Sequence, residues 1–522
     1  MRHDRIKQGL AFALAWCVAG LAHAAGPKDV VYDKVVDDIV ARYHLPGLAV
    51  GVVRDGQVVY TRTVGPLEVG KDGAITSRSI FKIASNSKAM TASVLARLVQ
   101  QGKLRWDDPV IKYLPDFRMH DPWVTREMRV RDLLVHNSGL PEGGGDLMLW
   151  PEPNNFTRRD IVHGLGYIKP AYGFRSGYAY DNLLYVVAGE VAAAAGGASY
   201  EALVKREIFD PLGMAHCRVG AFDRSEAGEV AQPHVQVDGR YVPGNVDPPQ
   251  VPAIASAPAG GIRCSLDDML VWMRNWLVPD AKQLAWLPEA QRREMQTPRT
   301  IMPLSDRRKR WDNTHVYAYG YGFRMADVDG QWTVSHTGTL SGMYSMMAMV
   351  PDRKSGFVFM INADADEART VLGEVLMKEF TSPESHPTVA KYADLIAAES
   401  KAAPASASKP STAMPTQPRV ALSAPFDAKR IGVWKDPWFG TVRLCPEGGK
   451  LRFAAEKSPK MVGTLVRVKD RWLVDWDDDL VDMEAWVDFE DGHMRMRKTD
   501  PEGDFSSDYE DLDFARAGDC AG

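Results

Sequence analysis

The sequence predicts an α/β (α+β) protein in which an antiparallel sheet flanked by helices is followed by a smaller all-β unit. Two observations predict this class. Segments with strand character lie at both ends of the larger unit, with helix-rich and loop-rich sequence over 80–277 between them. Beyond residue 425, short segments alternate apolar and polar residues and are separated by turns. Strands at both ends with helices between them favour one sheet that both halves of the unit complete. A chain of 522 residues is also too long for one ordinary core, so two domains are expected.

The larger unit is predicted to begin with a β-hairpin. Residues 48–64 alternate around Asp55-Gly56, a dipeptide typical of the tight turn between two antiparallel strands. Strand character returns at 316–325, 332–335, 344–350 and 356–362. A terminal helix ending near Phe380 and a short helix over 388–400 complete the pattern.

The smaller unit is predicted to be a meander barrel or sandwich. It follows a segment, 402–425, whose Ala, Pro, Ser and Thr content is typical of an interdomain linker. Period-two alternation then marks strands at 441–444, 450–453, 465–468, 471–476, 485–489 and 494–497. The turns between them are marked by Gly448-Gly449, Lys469-Asp470 and Asp491-Gly492.

The N-terminus has the pattern of a secretory signal. Arg2, Arg5 and Lys7 precede the apolar stretch 9–21, and Ala22-His23-Ala24 offers small residues for cleavage. That stretch is short for a membrane span, and no later segment is long and uncharged enough to be one. We therefore expect a periplasmic or secreted protein without stable membrane insertion. The predicted organisation is a signal peptide over 1–24, a larger domain over 25–385, a short helix and linker over 386–425, and a barrel over 426–522.

Four cysteines remain after the predicted signal peptide. Cys217 and Cys264 fall in the larger domain, and Cys445 and Cys520 fall in the smaller one. Two disulfides, each within one domain, would suit an oxidising compartment, and the alternative is four buried free thiols.

The charge balance excludes one class of partner. A net charge of −5 and a pI near 6.2 give no electrostatic case for nucleic acid or for an anionic membrane surface. The histidines are scattered and His216-Cys217 has no companions at ligand spacing, so we predict neither a metal site nor a cofactor.

The first candidate site lies where Ser85-Asn86-Ser87-Lys88 opens a helical stretch that runs to Val99. Lys88 falls in the first turn, near the positive end of the helix dipole, and on an apolar stripe. Both conditions favour its neutral amine, which one turn from a hydroxyl is a base beside a nucleophile. The alternative is that Ser85 only caps the helix. The spacing is weak by itself, because Ser79 with Lys82 and Ser406 with Lys409 also match it.

Two further short motifs could complete a site with Ser85. Tyr180-Asp181-Asn182 is the only Tyr-x-Asn in the chain, and His336-Thr337-Gly338 is the only His-x-Gly. A phenol near an amine can have its pKa lowered and accept a proton from serine. Gly338 would let a ligand approach the backbone closely. The alternatives are that Tyr180 is an aromatic wedge before an apolar helix and that His336 is a strand histidine bonded to a neighbour; the coincidence of the motifs disfavours both.

With these motifs the chain resembles the serine beta-lactamase-related superfamily, in the branch of class C beta-lactamases, D-aminopeptidases, D,D-peptidases and related esterases. The resemblance runs from about residue 35 to residue 362. Its matching stretches are Phe81-Lys82-Ile83-Ala84-Ser85-Asn86-Ser87-Lys88, Leu133-Leu134-Val135-His136-Asn137-Ser138-Gly139-Leu140-Pro141, Tyr180-Asp181-Asn182, Pro211-Leu212-Gly213-Met214, Ala259-Gly260-Gly261 and His336-Thr337-Gly338. It implies a beta-lactamase/transpeptidase-like fold with a helical subdomain. Residues 432–514 resemble the lipocalin-like domain appended to some of these hydrolases, through Trp438-Phe439-Gly440 and Asp504-Phe505-Ser506.

The resemblance implies a role for each matching position. Ser85 would be the nucleophile that accepts the acyl group, and Lys88 and Tyr180 would share its proton. Asn182 would hydrogen-bond Lys88 and the substrate amide. The oxyanion hole would use the backbone N–H groups of Ser85 and Thr339, beside Gly338.

His336 is assigned with the catalytic residues, near the water that would hydrolyse the acyl-enzyme. Many beta-lactamases carry a lysine at this position, whereas a histidine is mostly neutral above its ordinary pKa of about 6.5. This difference favours peptide, amide or ester substrates over beta-lactams.

The expected function is therefore that of an exported serine hydrolase acting on a small molecule or short peptide, with D-residues and esters included. The alternatives are a beta-lactamase and a non-catalytic protein that binds penicillin or peptidoglycan peptides. For the C-terminal domain we expect substrate gating, with assembly or stabilisation as alternatives. A homo-oligomer is left open.

Overall fold

The computed structural model describes residues 27–402, 418–422, 426–481 and 483–520. The predicted signal peptide and most of the predicted linker lie outside these residues. The described chain forms a large domain built on one sheet and a smaller β-barrel.

The large domain is organised by an antiparallel sheet, as the sequence predicted, and this sheet has eight strands. In order across the sheet, its strands are Gln57–Val64, Leu48–Arg54, Ser355–Ile361, Tyr344–Val350, Gln331–Thr339, Arg324–Val328, Tyr317–Tyr319 and Thr300–Ile301. Strands from the two ends of the domain therefore pair in the middle, where Leu48–Arg54 lies against Ser355–Ile361. The predicted hairpin is confirmed. Asp55 and Gly56 both have positive φ, at 49° and 76°, which suits the twist of a two-residue hairpin turn.

Helices cover both faces of this sheet. Their bounds are Pro27–Tyr43, Ser87–Gln100, Pro122–Glu127, Arg158–Gly164, Leu183–Gly196, Tyr200–Val204, Asp210–Leu212, Arg224–Ala227, Ala257–Gly260, Leu266–Leu277, Ala281–Trp286, Glu289–Met295, Asp306–Asp312, Asp366–Thr381 and Val389–Ala402. The helices Pro27–Tyr43, Asp366–Thr381 and Val389–Ala402 pack on one face, so the short helix predicted before the linker packs on the large domain.

The opposite face carries the helical subdomain that holds the candidate site. Its centre is the pair Ser87–Gln100 and Leu183–Gly196. The second of these helices is apolar nearly all round, as expected for a helix enclosed by other elements, and its first seven residues are all buried. Short strands Phe81–Lys82 and Arg263–Cys264 pair beside the first helix and fix the segment that leads into it.

Residues 432–518 form a closed barrel of eight antiparallel strands. In order around it, the strands are Val462–Val468, Lys450–Ala455, Gly440–Glu447, Gly432–Asp436, Asp513–Gly518, His493–Lys498, Ala485–Glu490 and Arg471–Trp476, which pairs back with the first. All six predicted strands are present. The sequence reading missed Gly432–Asp436 and Asp513–Gly518 because they are short and contain Gly and Asp, which are depleted in strands.

The barrel docks on the large domain through charged, polar and aromatic contacts. The Asp508 carboxylate accepts hydrogen bonds from the backbone N–H groups of Gly145 and Leu147. Lys457 Nζ lies 2.6 Å from Asp160 Oδ1. Further rings, hydrogen bonds and apolar side chains join the two units, including Phe156 with Phe439, whose centroids are 5.6 Å apart.

Both predicted disulfides are present. Cys217 pairs with Cys264, and Cys445 pairs with Cys520. The alternative of four free thiols is therefore wrong.

Among the described residues, no single helix has the length and apolar character to cross a membrane. The helix Leu183–Gly196 and the segment Tyr200–Leu212 meet that test only as a pair, bent by 76°.

Candidate active site

Ser85 lies in a 3-10 turn, Ala84–Asn86, that leads directly into the helix Ser87–Gln100. Ala84 has a φ of 46°, a left-handed conformation that costs energy for a residue with a side chain. Asn86 takes the capping position and makes no side-chain cap. The alternative that Ser85 caps this helix is therefore wrong. Its Oγ faces the side chains of Lys88 and Tyr180 instead.

Lys88 lies in the first turn of the helix and is fully buried. Its Nζ is 3.1 Å from Ser85 Oγ, 2.7 Å from Asn182 Oδ1 and 2.9 Å from the Ala259 carbonyl oxygen. Burial lowers the pKa of Lys88 to about 7, against the opposing effect of Asp146 and Asp181. The predicted shift toward the neutral amine is confirmed.

The three partners of Lys88 fit an ammonium that donates to all three and, once one proton is lost, a neutral amine. A neutral amine has two N–H donors and one lone pair. The two oxygens of Asn182 and Ala259 can only accept, so they take the two donors. The lone pair then remains for the hydroxyl proton of Ser85. The site can therefore hold Lys88 as a base aimed at Ser85.

Tyr180 lies on the other side of the same oxygen. Its hydroxyl donates to Ser85 Oγ at 2.8 Å, and its ring packs against Lys88 Nζ and the His136 ring. Burial raises the pKa of Tyr180 above its ordinary value, although Arg324 and the Ser85 hydrogen bond act in the opposite direction. The expectation that this pKa is lowered is wrong, because loss of solvation outweighs the nearby cations. In the free site Tyr180 is a proton donor.

Asn182 joins Lys88 to a buried carboxyl group that the sequence reading did not identify. Its Oδ1 accepts from Lys88, and its Nδ2 donates to Asp146 Oδ2 at 2.8 Å. The same carboxyl oxygen accepts from Ser506 Oγ at 2.7 Å, across the domain boundary. Burial raises the pKa of Asp146 to about 8, while these two hydrogen bonds oppose the shift.

His336 lies in the strand Gln331–Thr339, fully buried behind the cavity. Its Nδ1 lies 2.7 Å from the Thr337 carbonyl, so Nδ1 carries the proton. Its Nε2 is 2.8 Å from Tyr319 Oη and accepts from that hydroxyl. Burial and the cations Arg324 and Lys88 lower the pKa of His336 well below its ordinary value. This neutral, fully bonded ring matches the alternative of a strand histidine bonded to its neighbours, and a direct catalytic role for His336 stays a prediction.

Gly338 and Thr339 lie farther along the same strand, next to Ser85. A Cβ atom at residue 338 would lie 2.8 Å from the Ser85 nitrogen. Thr339 lines the cavity into which Ser85 opens. The strand therefore brings the backbone of both residues beside the nucleophile candidate.

The cavity has a volume of about 680 Å³ and is lined by Ser85, Tyr180 and Asn182. It also exposes Arg324, which the sequence reading missed. Arg324 Nη1 donates to Thr337 Oγ1 at 2.8 Å. Its guanidinium carbon lies 5.8 Å from the Tyr180 ring centroid. The permanent cation of Arg324 thus lies in the cavity wall, near Tyr180. In the sequence, the one signal for this position is that Arg324 falls in a strand of alternating apolar and polar residues.

The C-terminal barrel contributes another part of the wall. Asp504, Phe505, Ser506 and Ser507 all line the cavity. The Phe505 ring meets the Tyr180 ring edge-on, with centroids 5.9 Å apart. The two domains therefore share one cavity.

The competing match of Ser79 with Lys82 does not form such a site. Ser79 is fully buried, and its hydroxyl donates to Glu229 Oε2 at 2.9 Å. Lys82 Nζ lies 3.8 Å from Asp247 Oδ1. The third match, Ser406 with Lys409, lies outside the described residues.

Among the residues described, no three His, Cys, Asp or Glu side chains are grouped so that they could hold a metal ion.

Comparison with known protein families matches residues 32–379, more than half of the chain, to the Beta-lactamase family. The chain belongs to the beta-lactamase family. Its fold is the beta-lactamase/transpeptidase-like fold, with the separate barrel at the C-terminal end.

This beta-lactamase family member is also similar in sequence to several named proteins. Unguisins hydrolase ungD of Aspergillus violaceofuscus (strain CBS 115571) is 25% identical over 360 residues, which are 65% of this chain and 62% of that protein. Unguisins hydrolase ungD' of Aspergillus campestris (strain IBT 28561) is 27% identical over 363 residues, 67% of this chain and 64% of that one. The protein named flp of Staphylococcus aureus (strain N315) is 23% identical over 339 residues, 64% of this chain and 63% of its own. The chain thus spans a little under two thirds of the length of these curated relatives.

A solved structure shows the same fold. The octameric penicillin-binding protein homologue from Pyrococcus abyssi superimposes with a TM-score of 0.57 at 20% identity, over 90% of this chain and 99% of that one.

Proposed function

We propose that this member of the beta-lactamase family is an exported serine hydrolase that cleaves amide, peptide or ester bonds through an acyl-enzyme on Ser85. One observation carries the proposal: Lys88 Nζ and Tyr180 Oη both lie within hydrogen-bond distance of Ser85 Oγ, at 3.1 and 2.8 Å. A hydroxyl held between a neutral amine and a phenol has both a base and an acid beside it. The named hydrolases among its relatives support the same reaction class.

Acylation begins when the Ser85 hydroxyl passes its proton to the lone pair of Lys88. The Ser85 oxygen then forms a bond to the substrate carbonyl carbon, and the carbonyl oxygen becomes an oxyanion. We assign its stabilisation to the N–H groups of Ser85 and Thr339, each worth about 2.7–4 kcal/mol in comparable sites. As the scissile bond breaks, the leaving group takes one proton from the Lys88–Tyr180 pair.

Deacylation reverses the roles. A water molecule gives a proton to the neutral Lys88–Tyr180 pair and attacks the ester carbon on Ser85. The bond between that carbon and Ser85 Oγ then breaks, and the proton returns to Ser85. His336 is assigned an indirect part in this step, because it holds the Tyr319 hydroxyl rather than a group in the cavity.

Arg324 supports a substrate that carries an anionic group near the reacting carbonyl. Its guanidinium lines the cavity and burial does not neutralise it, since the pKa of Arg324 lies above its ordinary value. A carboxylate on a short peptide or on an acyl-amino acid fits such a wall, and D-residues remain within the proposed range. Guanidinium groups bind carboxylates through two parallel hydrogen bonds.

The same arginine keeps a beta-lactamase activity as a second candidate. The neutrality of His336 was the reason to disfavour beta-lactams, because a fixed positive charge was missing at that position. Arg324 supplies a fixed charge from the neighbouring strand, where residue 324 pairs with Ser335. Nitrocefin therefore belongs in the substrate panel.

We also propose that the C-terminal barrel gates the cavity, and its likeness to a lipocalin-like domain stays part of this proposal. Support comes from Phe505, which packs on Tyr180 at the cavity wall.

Export is supported by the two disulfides, which persist in an oxidising compartment. The Pyrococcus abyssi homologue is octameric, so the mass of this chain in solution tests whether it forms a homo-oligomer.

A covalent fluorophosphonate probe tests the assignment directly. The wild type should be labelled, Ser85→Ala should lose labelling, and Ser79→Ala and Ser406→Ala should retain it as matched controls for the other two motifs. Turnover of a panel of D- and L-aminoacyl amides, p-nitrophenyl esters and nitrocefin then identifies the substrate class. Labelling of Ser85 with a burst but negligible steady turnover would favour the rival function, a protein that binds penicillin or peptide without hydrolysis.

A further inference from the structure

A loop of the C-terminal barrel reaches the catalytic candidates of the large domain. It follows the strand His493–Lys498 and ends at the 3-10 turn Tyr509–Asp511. Phe505 on this loop covers Gly143 so closely that a Cβ atom there would lie 2.5 Å from the Phe505 carbonyl oxygen. Ser506 follows, and its hydroxyl points into the large domain.

Three hydrogen bonds connect this loop to Lys88. Ser506 Oγ donates to Asp146 Oδ2 at 2.7 Å. Asn182 Nδ2 donates to the same oxygen at 2.8 Å. Lys88 Nζ donates to Asn182 Oδ1 at 2.7 Å. Asp146, Asn182 and Lys88 are each at most 3% exposed, so water does not compete for these bonds.

We propose that Ser506, a residue of the C-terminal domain, is a positioning residue for Lys88, which it reaches through Asp146 and Asn182. The inference rests on the proposed function, because it assigns Ser506 a part in preparing the base for Ser85. It makes the active site a product of two domains rather than of the larger one alone.

The orientation of the Asn182 amide explains why the chain of bonds matters. Asp146 Oδ2 accepts from the NH2 end of the amide, so the oxygen end faces Lys88. That oxygen occupies one N–H of Lys88 and helps aim its lone pair at Ser85. Without a fixed carboxylate the amide could turn, and Lys88 would lose this restraint.

Ser506 helps to hold the Asp146 carboxyl group in place. Asp146 Oδ1 is buried and has no hydrogen-bond partner among the described residues, so the side-chain hydrogen bonds from Ser506 and Asn182 both go to Oδ2. Loss of the Ser506 hydroxyl would therefore leave Asn182 as the one described side chain that holds this carboxyl group.

The electrostatic effect of Asp146 on Lys88 is small near neutral pH. The charged groups that face Lys88 are Asp146, Asp181 and Arg324, and the two carboxylates raise its pKa while the arginine lowers it. The pKa of Asp146 is raised to about 8, above the value of about 7 for Lys88, so Asp146 is mostly protonated where Lys88 titrates. Ser506 therefore acts on Lys88 by fixing Asp146 and the Asn182 amide, and the pH at which Lys88 titrates should stay the same when the Ser506 hydroxyl is lost.

The test is the rate of fluorophosphonate labelling at Ser85 against pH, measured on the full chain. The rate above pH 7, where Lys88 is mostly neutral, should fall by about 10-fold in Ser506→Ala, the equivalent of one lost hydrogen bond, and the midpoint of the pH profile should stay near 7. Ser506→Thr keeps a hydroxyl and should restore the wild-type rate. Glu502→Ala, an exposed position on the same loop, is the matched control and should leave the profile unchanged.

Each outcome decides a claim. A wild-type rate in Ser506→Ala, or a loss that Ser506→Thr does not restore, overturns the inference while leaving Ser85 as the labelled residue. Labelling without turnover overturns the hydrolase and still lets the labelling rate be measured. A wild type that is not labelled at any pH overturns both.

Discussion

Gly338 packs directly against the backbone of Ser85, although the two residues belong to different elements. A Cβ atom at residue 338 would lie 2.8 Å from the Ser85 nitrogen and 2.3 Å from the Ile83 carbonyl oxygen. Real side chains do not approach backbone so closely. The absence of a side chain at residue 338 thus lets the strand Gln331–Thr339 reach the turn that carries the nucleophile candidate. This contact puts the two proposed oxyanion donors, on Ser85 and Thr339, beside one another.

Gly338→Ala should therefore damage the site. The strand or the turn must move to admit the methyl group, and the two proposed donors would separate. We expect labelling of Ser85 to slow by about 100-fold or more, as for loss of one oxyanion donor. Gly518→Ala is the control, because a Cβ there meets nothing within 4 Å. A Gly338→Ala protein with wild-type kinetics would refute the close packing.

The pH dependence of the reaction should report Lys88. Its pKa is lowered to about 7, and only the neutral amine can accept the Ser85 proton. The rate constant kcat/KM should therefore rise as pH increases through about 7 and level off above it. Lys88→Met, which fills the same space without a base, should lose about 100- to 10,000-fold. An activity that falls as pH rises through 7 would contradict a neutral amine as the base.

Tyr180→Phe tests the contribution of the Tyr180 hydroxyl to the reaction. The ring contacts with Lys88 and His136 would remain, so the fold should persist, but the 2.8 Å bond to Ser85 Oγ would be lost. We expect kcat to fall by about 100-fold or more, with a smaller change in KM. Tyr178→Phe, at another tyrosine of the cavity wall, should have a much smaller effect. Equal losses in the two variants would argue against a specific role for the Tyr180 hydroxyl.

Much of the fold was predictable because local patterns in this chain agree with its tertiary structure. The Asp55-Gly56 hairpin, the strand Tyr344–Val350 and the barrel strand Arg471–Trp476 have the bounds that the alternation indicated. Ser85 and Lys88 were also accessible to sequence reasoning, since their spacing is fixed by one helical turn.

The rest of the site depends on contacts between distant segments. Asp146 and Ser506 are 360 positions apart, and no local pattern marks them as partners of each other. In the sequence, Arg324 cannot be distinguished from any other polar residue of an alternating strand, so its place in the cavity wall was not predictable. The direction of the Tyr180 pKa was mispredicted because it depends on how completely the phenol is buried, which the sequence does not show.

Arg324→Gln tests whether Arg324 binds an anionic group of the substrate. It removes the charge while keeping a polar side chain of similar reach. We expect KM to rise by about 10-fold or more for substrates with a free carboxylate, the range of a lost charge-assisted hydrogen bond, and to change little for neutral esters. Steady-state kinetics on matched acid and amide substrates measure the difference. An equal loss on both would mean that Arg324 acts on the Tyr180 region rather than on the substrate.

The disulfide Cys217–Cys264 should stabilise the segment that presents Ser85. Cys264 pairs with Phe81 in the short ladder just before the Ser85 turn, and the bond closes a sequence separation of 47 residues. Replacing both cysteines by alanine should lower the free energy of unfolding by about 2–4 kcal/mol. Denaturant unfolding of the large domain measures this loss. The matched pair Cys445→Ala/Cys520→Ala should affect the barrel instead, and the same transition changing in both proteins would contradict the assignment.

The most direct test of the account is the site of the covalent intermediate. Wild-type protein should be mixed with p-nitrophenyl acetate at pH 8, quenched in acid, and mapped by peptide mass spectrometry. The account predicts one acetyl group on Ser85, its absence in Ser85→Ala, and much slower formation in Lys88→Met. An acetyl group on another residue, or turnover that survives in Ser85→Ala, would contradict it.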